Sequence, residues 1–199
     1  MASALTPSEK RLQIADLKDG IKRASESFGL FLAGPFIMPE EADSHPENSK
    51  TTAKSLRYFL NKNLDSDNSE IYLGEDHRLR LGGEKHYGEH NNAVLFERHY
   101  IKHHLDAVII LPSSTGSFCE FGDWASDEKI CPKMLIIVDK QYELSANYLN
   151  EGPIKLALDN FSIVKYIDYE DKERCFHECQ DFLSRVKSKI RARKLYDRD

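Results

Sequence analysis

The chain reads as an α/β three-layer sandwich with a five-stranded parallel sheet, on three grounds. Short apolar runs rich in β-branched residues recur along the chain. Two of them, residues 107–111 (A-V-I-I-L) and 134–138 (M-L-I-I-V), are apolar throughout, the mark of strands covered on both faces. These runs alternate with segments of helical length, which suits parallel strands joined by crossover helices.

Each element has its own local reason. Thr6-Pro7-Ser8-Glu9 is a capping box with proline at the first helical position, and Ile14, Leu17, Ile21 and Ala24 continue it as one apolar stripe. This predicts an extra N-terminal helix. Residues 29–33 (G-L-F-L-A) read as the first strand, ended by Gly34-Pro35-Phe36. An irregular acidic stretch through Pro39, Glu40, Asp43 and Glu47 follows, and a loop that long in a compact domain is usually functional. A helix over 49–62 should turn Ala53, Leu56, Phe59 and Leu60 inward, and a second strand over 70–73 follows. Residues 74–91 are irregular and carry Glu75, Asp76, His77, Arg78 and Arg80 directly past that strand.

A helix over 92–104 leads to the central strand at 107–111, and another helix begins at Ser117. After the strand at 134–138, residues 148–160 suggest a short helix interrupted by Gly152-Pro153. Residues 161–166 read as the fifth strand. The last helix carries Cys175, Cys179, Phe182, Leu183, Val186 and Ile190 at helical spacing, then a basic tail over 187–193. The simplest arrangement with right-handed crossovers is the flavodoxin-like order 2-1-3-4-5. One domain over 1–199 is expected, with a helical extension (1–26), a core (29–167) and a C-terminal helix with its tail (170–199).

Composition narrows the function. At 199 residues the chain is long enough for a full core. Its net charge of −5 argues against general nucleic-acid binding, which calls for a basic surface. No apolar run approaches the roughly 18 residues of a membrane helix, and the N-terminus lacks a signal-peptide core. Four cysteines do not make a disulfide framework at this length, so a reducing, cytoplasmic setting is expected.

The richest stretch runs from Asp106 to Ala125, D-A-V-I-I-L-P-S-S-T-G-S-F-C-E-F-G-D-W-A. Pro112 ends the strand, and Ser113, Ser114, Thr115 and Gly116 make a small polar loop. Ser117 followed by Glu120 reads as a capping box, which would put Glu120 in the first helical turn, held ionised by the helix dipole. Unpaired N–H groups at a helix start attract anions. In the 2-1-3-4-5 order the topological switch lies between strands one and three, so Gly34-Pro35-Phe36 and Ser113–Glu120 wall one crevice.

Other chemistries find little support. There is no G-x-G-x-x-G after the first strand, no G-x-x-x-x-G-K-[ST] and no G-x-S-x-G. The Ser113–Ser117 loop is flavin-like in composition but follows the third strand, so no cofactor is expected. His99 and His103 lie one helical turn apart, but Tyr100 stands where a metalloprotease needs glutamate, so no metal site is assigned. Cys175 and Cys179 read as core residues, and Cys119 as a packing residue.

The segments L-F-L-A-G-P-F, D-A-V-I-I-L-P-S-S-T-G-S-F-C-E-F-G-D-W-A and K-M-L-I-I-V resemble the nucleoside 2-deoxyribosyltransferase-like superfamily, related in architecture to TIR domains. The resemblance spans roughly residues 29 to 167, and G-S-x-x-E-x-G-x-x-A is its most specific part. It implies cleavage or exchange of the bond between a base and a (deoxy)ribose, with NAD or a related nucleotide as substrate and a bacterial defence role. The family's catalytic glutamate falls on Glu120. Its aspartate has three candidate positions, Glu75, Asp76 and Asp106. An oxocarbenium-like sugar is stabilised or captured by a carboxylate. Glu75, Asp76 or His77 would protonate the base or fix water. Phe36 would stack on the base, and Arg78, Arg80 and Ser113–Ser117 would hold phosphate. By analogy a homo-oligomer is expected, with a possible activating partner; the alternative is a nucleotide sensor of the same fold without turnover.

Overall fold

The computed structural model describes residues 28–38, 50–64, 69–76 and 92–196. Their elements, in chain order, are β1 (Phe28–Ala33), α1 (Thr52–Asn63), β2 (Ser69–Tyr72), α2 (Ala93–His104), β3 (Ala107–Ile110), α3 (Thr115–Trp124), β4 (Met134–Asp139), α4 (Lys155–Asp159), β5 (Ile163–Ile167) and α5 (Lys172–Tyr196). The five strands pair in parallel in the order β2-β1-β3-β4-β5. The predicted sandwich and its strand order are therefore present. The expected N-terminal helix, the acidic loop after Phe36 and residues 77–91 lie outside the described residues.

Alternation along the strands builds two cores. Leu30, Leu32, Ile109, Leu111 and Leu135 face α1 and α5, where Leu56, Leu60, Cys175, Cys179 and Phe182 meet them. Phe31, Ala33, Val108, Ile110 and Ile136 face the other way, onto Phe96 and Ile101 of α2, Phe121 and Trp124 of α3, and Ala157 of α4. A side-chain period of two explains why neighbouring strand residues serve different layers. Each fully buried Leu or Ile contributes about 1.5–3 kcal/mol relative to exposure. Every residue of β3 is buried, which accounts for its unbroken apolar run.

Three departures from expectation have a clear local cause. Helix α3 starts at Thr115, because Ser114, not Ser117, is the N-cap: its side chain accepts from Ser117 N. Gly152-Pro153 does not interrupt its helix; a π turn at Asn150–Ile154 runs straight into α4. The wider turn is anchored by Asn150, whose side-chain amide donates to the carbonyls of Tyr142 (2.6 Å) and Ser145 (2.7 Å). The fifth strand begins at Ile163, since Phe161 sits at φ 70° in the turn before it. Among the described residues no helix is long and apolar enough to cross a membrane. All four cysteines are free.

Candidate active site

Helix geometry and crossover direction bring four charged side chains to the carboxyl edge of β1, β2 and β3. Arg57 comes from the second turn of α1, whose N-cap is Thr51. It is 2% exposed, yet every polar group it carries is used. Its Nη2 donates to Leu32 O (2.7 Å) and Glu75 Oε2 (2.8 Å), and its Nη1 to Pro35 O (2.8 Å), Gly34 O (3.3 Å) and Glu75 Oε1. Nε donates to Leu32 O as well, at 3.2 Å. Glu75 in turn accepts from Ile37 N at 3.0 Å. The planar guanidinium thus ties the segment after β1 to the turn after β2, a fork geometry lysine does not offer.

Gly34 is part of this close approach. A Cβ there would stand 3.0 Å from Arg57 Cδ and 3.3 Å from Leu111 Cβ, so any side chain would press on the guanidinium stem. Phe36, by contrast, is 52% exposed at the rim of the crevice.

Glu97 and Glu120 reach the same edge from α2 and α3. Both approach Gly74: an ideal Cβ at that glycine would lie 3.0 Å from Glu97 Oε1 and 3.9 Å from Glu120 Oε1. Glu97 is 9% exposed. Burial, the neighbouring Glu120 and then Glu75 push its carboxyl up to about 7, with Arg57 opposing. Burial also raises Glu120, again opposed by Arg57 and reinforced by Glu75. Glu120 Oε2 is buried and has no hydrogen-bond partner among the described residues. Crowding two carboxyls at one mouth disfavours ionising both at once.

The expected electrostatics of Glu120 are therefore corrected. With Ser114 as N-cap, Glu120 lies in the second helical turn, and the first turn of α3 holds no acidic residue. The dipole falls off within one turn, so burial rather than the helix start dominates and raises the pKa of Glu120, with Arg57 opposing.

The Ser113–Ser117 loop is largely satisfied from within. Ser117 Oγ accepts from Ser113 N (3.0 Å) and Ser114 N (2.9 Å) and donates to Ser114 O (3.1 Å). Helix geometry leaves the N–H groups of Thr115 and Gly116, both exposed, without an intrahelical acceptor. Asp76 stands beside Glu75, its N–H closing a turn onto Leu73 O at 2.9 Å. Asp106 is at the other end of the sheet, where its Oδ2 accepts from Gly29 N at 2.9 Å, so it cannot serve this crevice. His77, Arg78 and Arg80 lie outside the described residues.

The structure thus groups Gly34, Pro35, Phe36, Glu75, Asp76, Thr115, Gly116 and Glu120 at one edge and removes Asp106. Sequence reasoning missed Arg57 and Glu97. Both carried one usable signal: a charged residue on the apolar stripe of its helix, Arg57 between Leu56 and Leu60, and Glu97 between Phe96 and Ile101. Cys119, read as a packing residue, is exposed, whereas Cys175 and Cys179 are buried in the core. The rings of His99 and His103 lie 4.6 Å apart and tilted on the exposed face of α2, and no metal-holding cluster is found among the described residues.

Comparison with known proteins adds two findings. Residues 53–199 match the family model described as STM3845 retron effector protein. The chain is also 27% identical over 130 residues to the "Retron Ec86 putative ribosyltransferase/DNA-binding protein" of Escherichia coli. That match covers 64% of this chain and 40% of the relative, so the chain spans well under half of that protein's length. DNA binding in the relative's name runs against the exclusion of nucleic acid drawn from net charge. The matched region takes in the sheet from β2 onward, all the described helices, and the four charged residues of the crevice. The chain belongs to the STM3845 retron effector family.

Proposed function

We propose that the crevice cleaves the N-glycosidic bond between a base and a (deoxy)ribose in a nucleotide, as an effector in bacterial defence. One observation carries this reading: Glu97, which is buried, and Glu120, whose Oε2 is buried, both approach Gly74. Glu120 acts as the carboxylate that stabilises or captures the oxocarbenium-like sugar, and Glu97 delivers a proton to the departing base. Water then takes the anomeric carbon, and its proton returns to the pair, so the cycle balances. A carboxyl near 7 holds a usable share of protons at neutral pH. The ribosyltransferase in the relative's printed name and the likeness to nucleoside 2-deoxyribosyltransferases support the same chemistry.

Nicotinamide leaves NAD as a neutral molecule without needing a proton. With Glu97 beside Glu120, a neutral purine or pyrimidine is served equally well. Thr115 and Gly116 N–H groups favour a phosphate on the sugar. The test is incubation of the full chain with NAD, NADP, nucleoside monophosphates and deoxynucleosides, with released base read by chromatography. Release that disappears in Glu120→Gln supports the proposal. Release that is unchanged in that variant overturns it, and tight nucleotide binding without any release points instead to a sensor.

A further inference from the structure

The crevice holds a residue pair that the cleavage reaction does not use directly. Arg57 and Glu75 form an ion pair with side chains 2% and 15% exposed. Burying such a pair is costly unless its remaining hydrogen bonds are all made. Here they are made to the site's own walls: Leu32, Gly34 and Pro35 carbonyls on one side, Ile37 N–H on the other. Glu75 also adjoins Gly74, the residue on which Glu97 and Glu120 converge. A pair needed only for stability would not have to stand at that point.

We infer that Glu75 is a positioning residue rather than the proton donor: locked to Arg57, it ties the β1 segment to the β2 turn and supplies a fixed negative charge facing Glu97 and Glu120. Several features support it. Both Glu75 oxygens are engaged by Arg57, and one of them also by Ile37 N–H, which leaves the side chain no freedom to follow a departing base. Among the described residues, the groups facing Glu97 from the elements around it are Glu120 of α3, Glu75 of the β2 turn and Arg57 of α1. Of these, Glu75 and Glu120 favour the protonated form of Glu97 and Arg57 opposes it. Removing the Glu75 charge while Arg57 remains must therefore lower the pH at which Glu97 releases its proton. The inference deepens the proposed reaction by assigning roles among its acids.

The experiment is a carboxyl-carbon NMR titration of the full chain labelled at glutamate, in wild type, Glu75→Gln and Glu75→Asp, which needs no substrate. Glutamine keeps an acceptor for Ile37 N–H but loses the charge, so the Glu97 midpoint should fall by roughly half a pH unit or more. Aspartate keeps the charge, and its midpoint should stay at the wild-type value. A Gln midpoint equal to wild type, or an Asp midpoint displaced as far as Gln, would overturn the inference. Should the Gln variant not fold, Glu75→Ser, smaller and uncharged, takes its place: a lowered Glu97 midpoint supports the inference and an unchanged one overturns it. Where the wild type releases base, Glu75→Gln should lower release by less than about 100-fold and move its pH optimum down together with the Glu97 midpoint. A loss of about 100-fold or more with an unmoved Glu97 midpoint would make Glu75 the donor. If no substrate is cleaved, the cleavage proposal fails while the titration still decides the role of Glu75.

Discussion

Glu97 Oε1 and Glu120 Oε1 converge on Gly74, at 3.0 Å and 3.9 Å from where a Cβ would stand, although the two carboxyls ride on different helices. Neither α2 nor α3 alone makes a site. The parallel sheet does, because crossover helices on one face return their N-terminal halves to the carboxyl edge of the strands.

The two carboxyls should fail differently when neutralised. Glu120→Gln removes the group that meets the sugar, and base release should fall by at least about 1,000-fold, since covalent or electrostatic capture supplies several kcal/mol of the barrier reduction. Glu97→Gln removes only a proton, so release of a neutral base should fall by roughly 100-fold or more while release of nicotinamide changes far less. Equal losses for the two leaving groups would argue against Glu97 as the acid. Chromatography of both products in one assay reads the difference.

Glu97 also links stability to pH. Its carboxyl titrates near 4.5 in an unfolded chain and about 7 in the fold, so the native state binds more protons between those values. Stability should be greatest below about 4.5 as far as this group is concerned, decline as pH rises towards 7, and level off above it. The loss from this one residue is up to about 3 kcal/mol. Urea unfolding at pH 5 and pH 8 measures it, and Glu97→Gln should flatten the difference between the two.

Gly74 is the lever on geometry. Gly74→Ala places a methyl 3.0 Å from Glu97 Oε1, tighter than an ordinary contact, so the carboxylate must give way. A shift of a few tenths of an ångström should lower turnover by about tenfold or more with little change in cooperative unfolding. A variant with wild-type turnover would show that the separation of the two carboxyls is not critical.

Arg57 tests the frame beneath them. Arg57→Met fits the apolar stem but strands Glu75 and the carbonyls of Leu32, Gly34 and Pro35. The expected cost is about 3–5 kcal/mol of unfolding free energy. Chemical denaturation checks it, and a cost below about 1 kcal/mol would mean that water replaces the guanidinium.

Ser114 shows why local reading slips even where motifs are clear. Ser117 and Glu120 have capping-box spacing, and so have Ser114 and Ser117. The earlier serine wins because its oxygen faces Ser117 N, while Ser117 Oγ turns back to collect the N–H groups of Ser113 and Ser114. Three residues of displacement took Glu120 out of reach of the helix dipole and left burial to set its proton.

The order and type of the elements, the parallel sheet with its 2-1-3-4-5 arrangement, and the edge at which the loops after β1 and β3 meet are all legible along the chain. Those follow from periodicity, strand burial and crossover handedness, all of which are local or topological rules. Which charges face one another is set by packing between distant elements. Arg57 finds Glu75 18 positions away, and Glu97 finds Glu120 across two helices. A charged residue on an apolar stripe is costly until a partner from elsewhere in the chain arrives, and no pattern along the sequence names that partner.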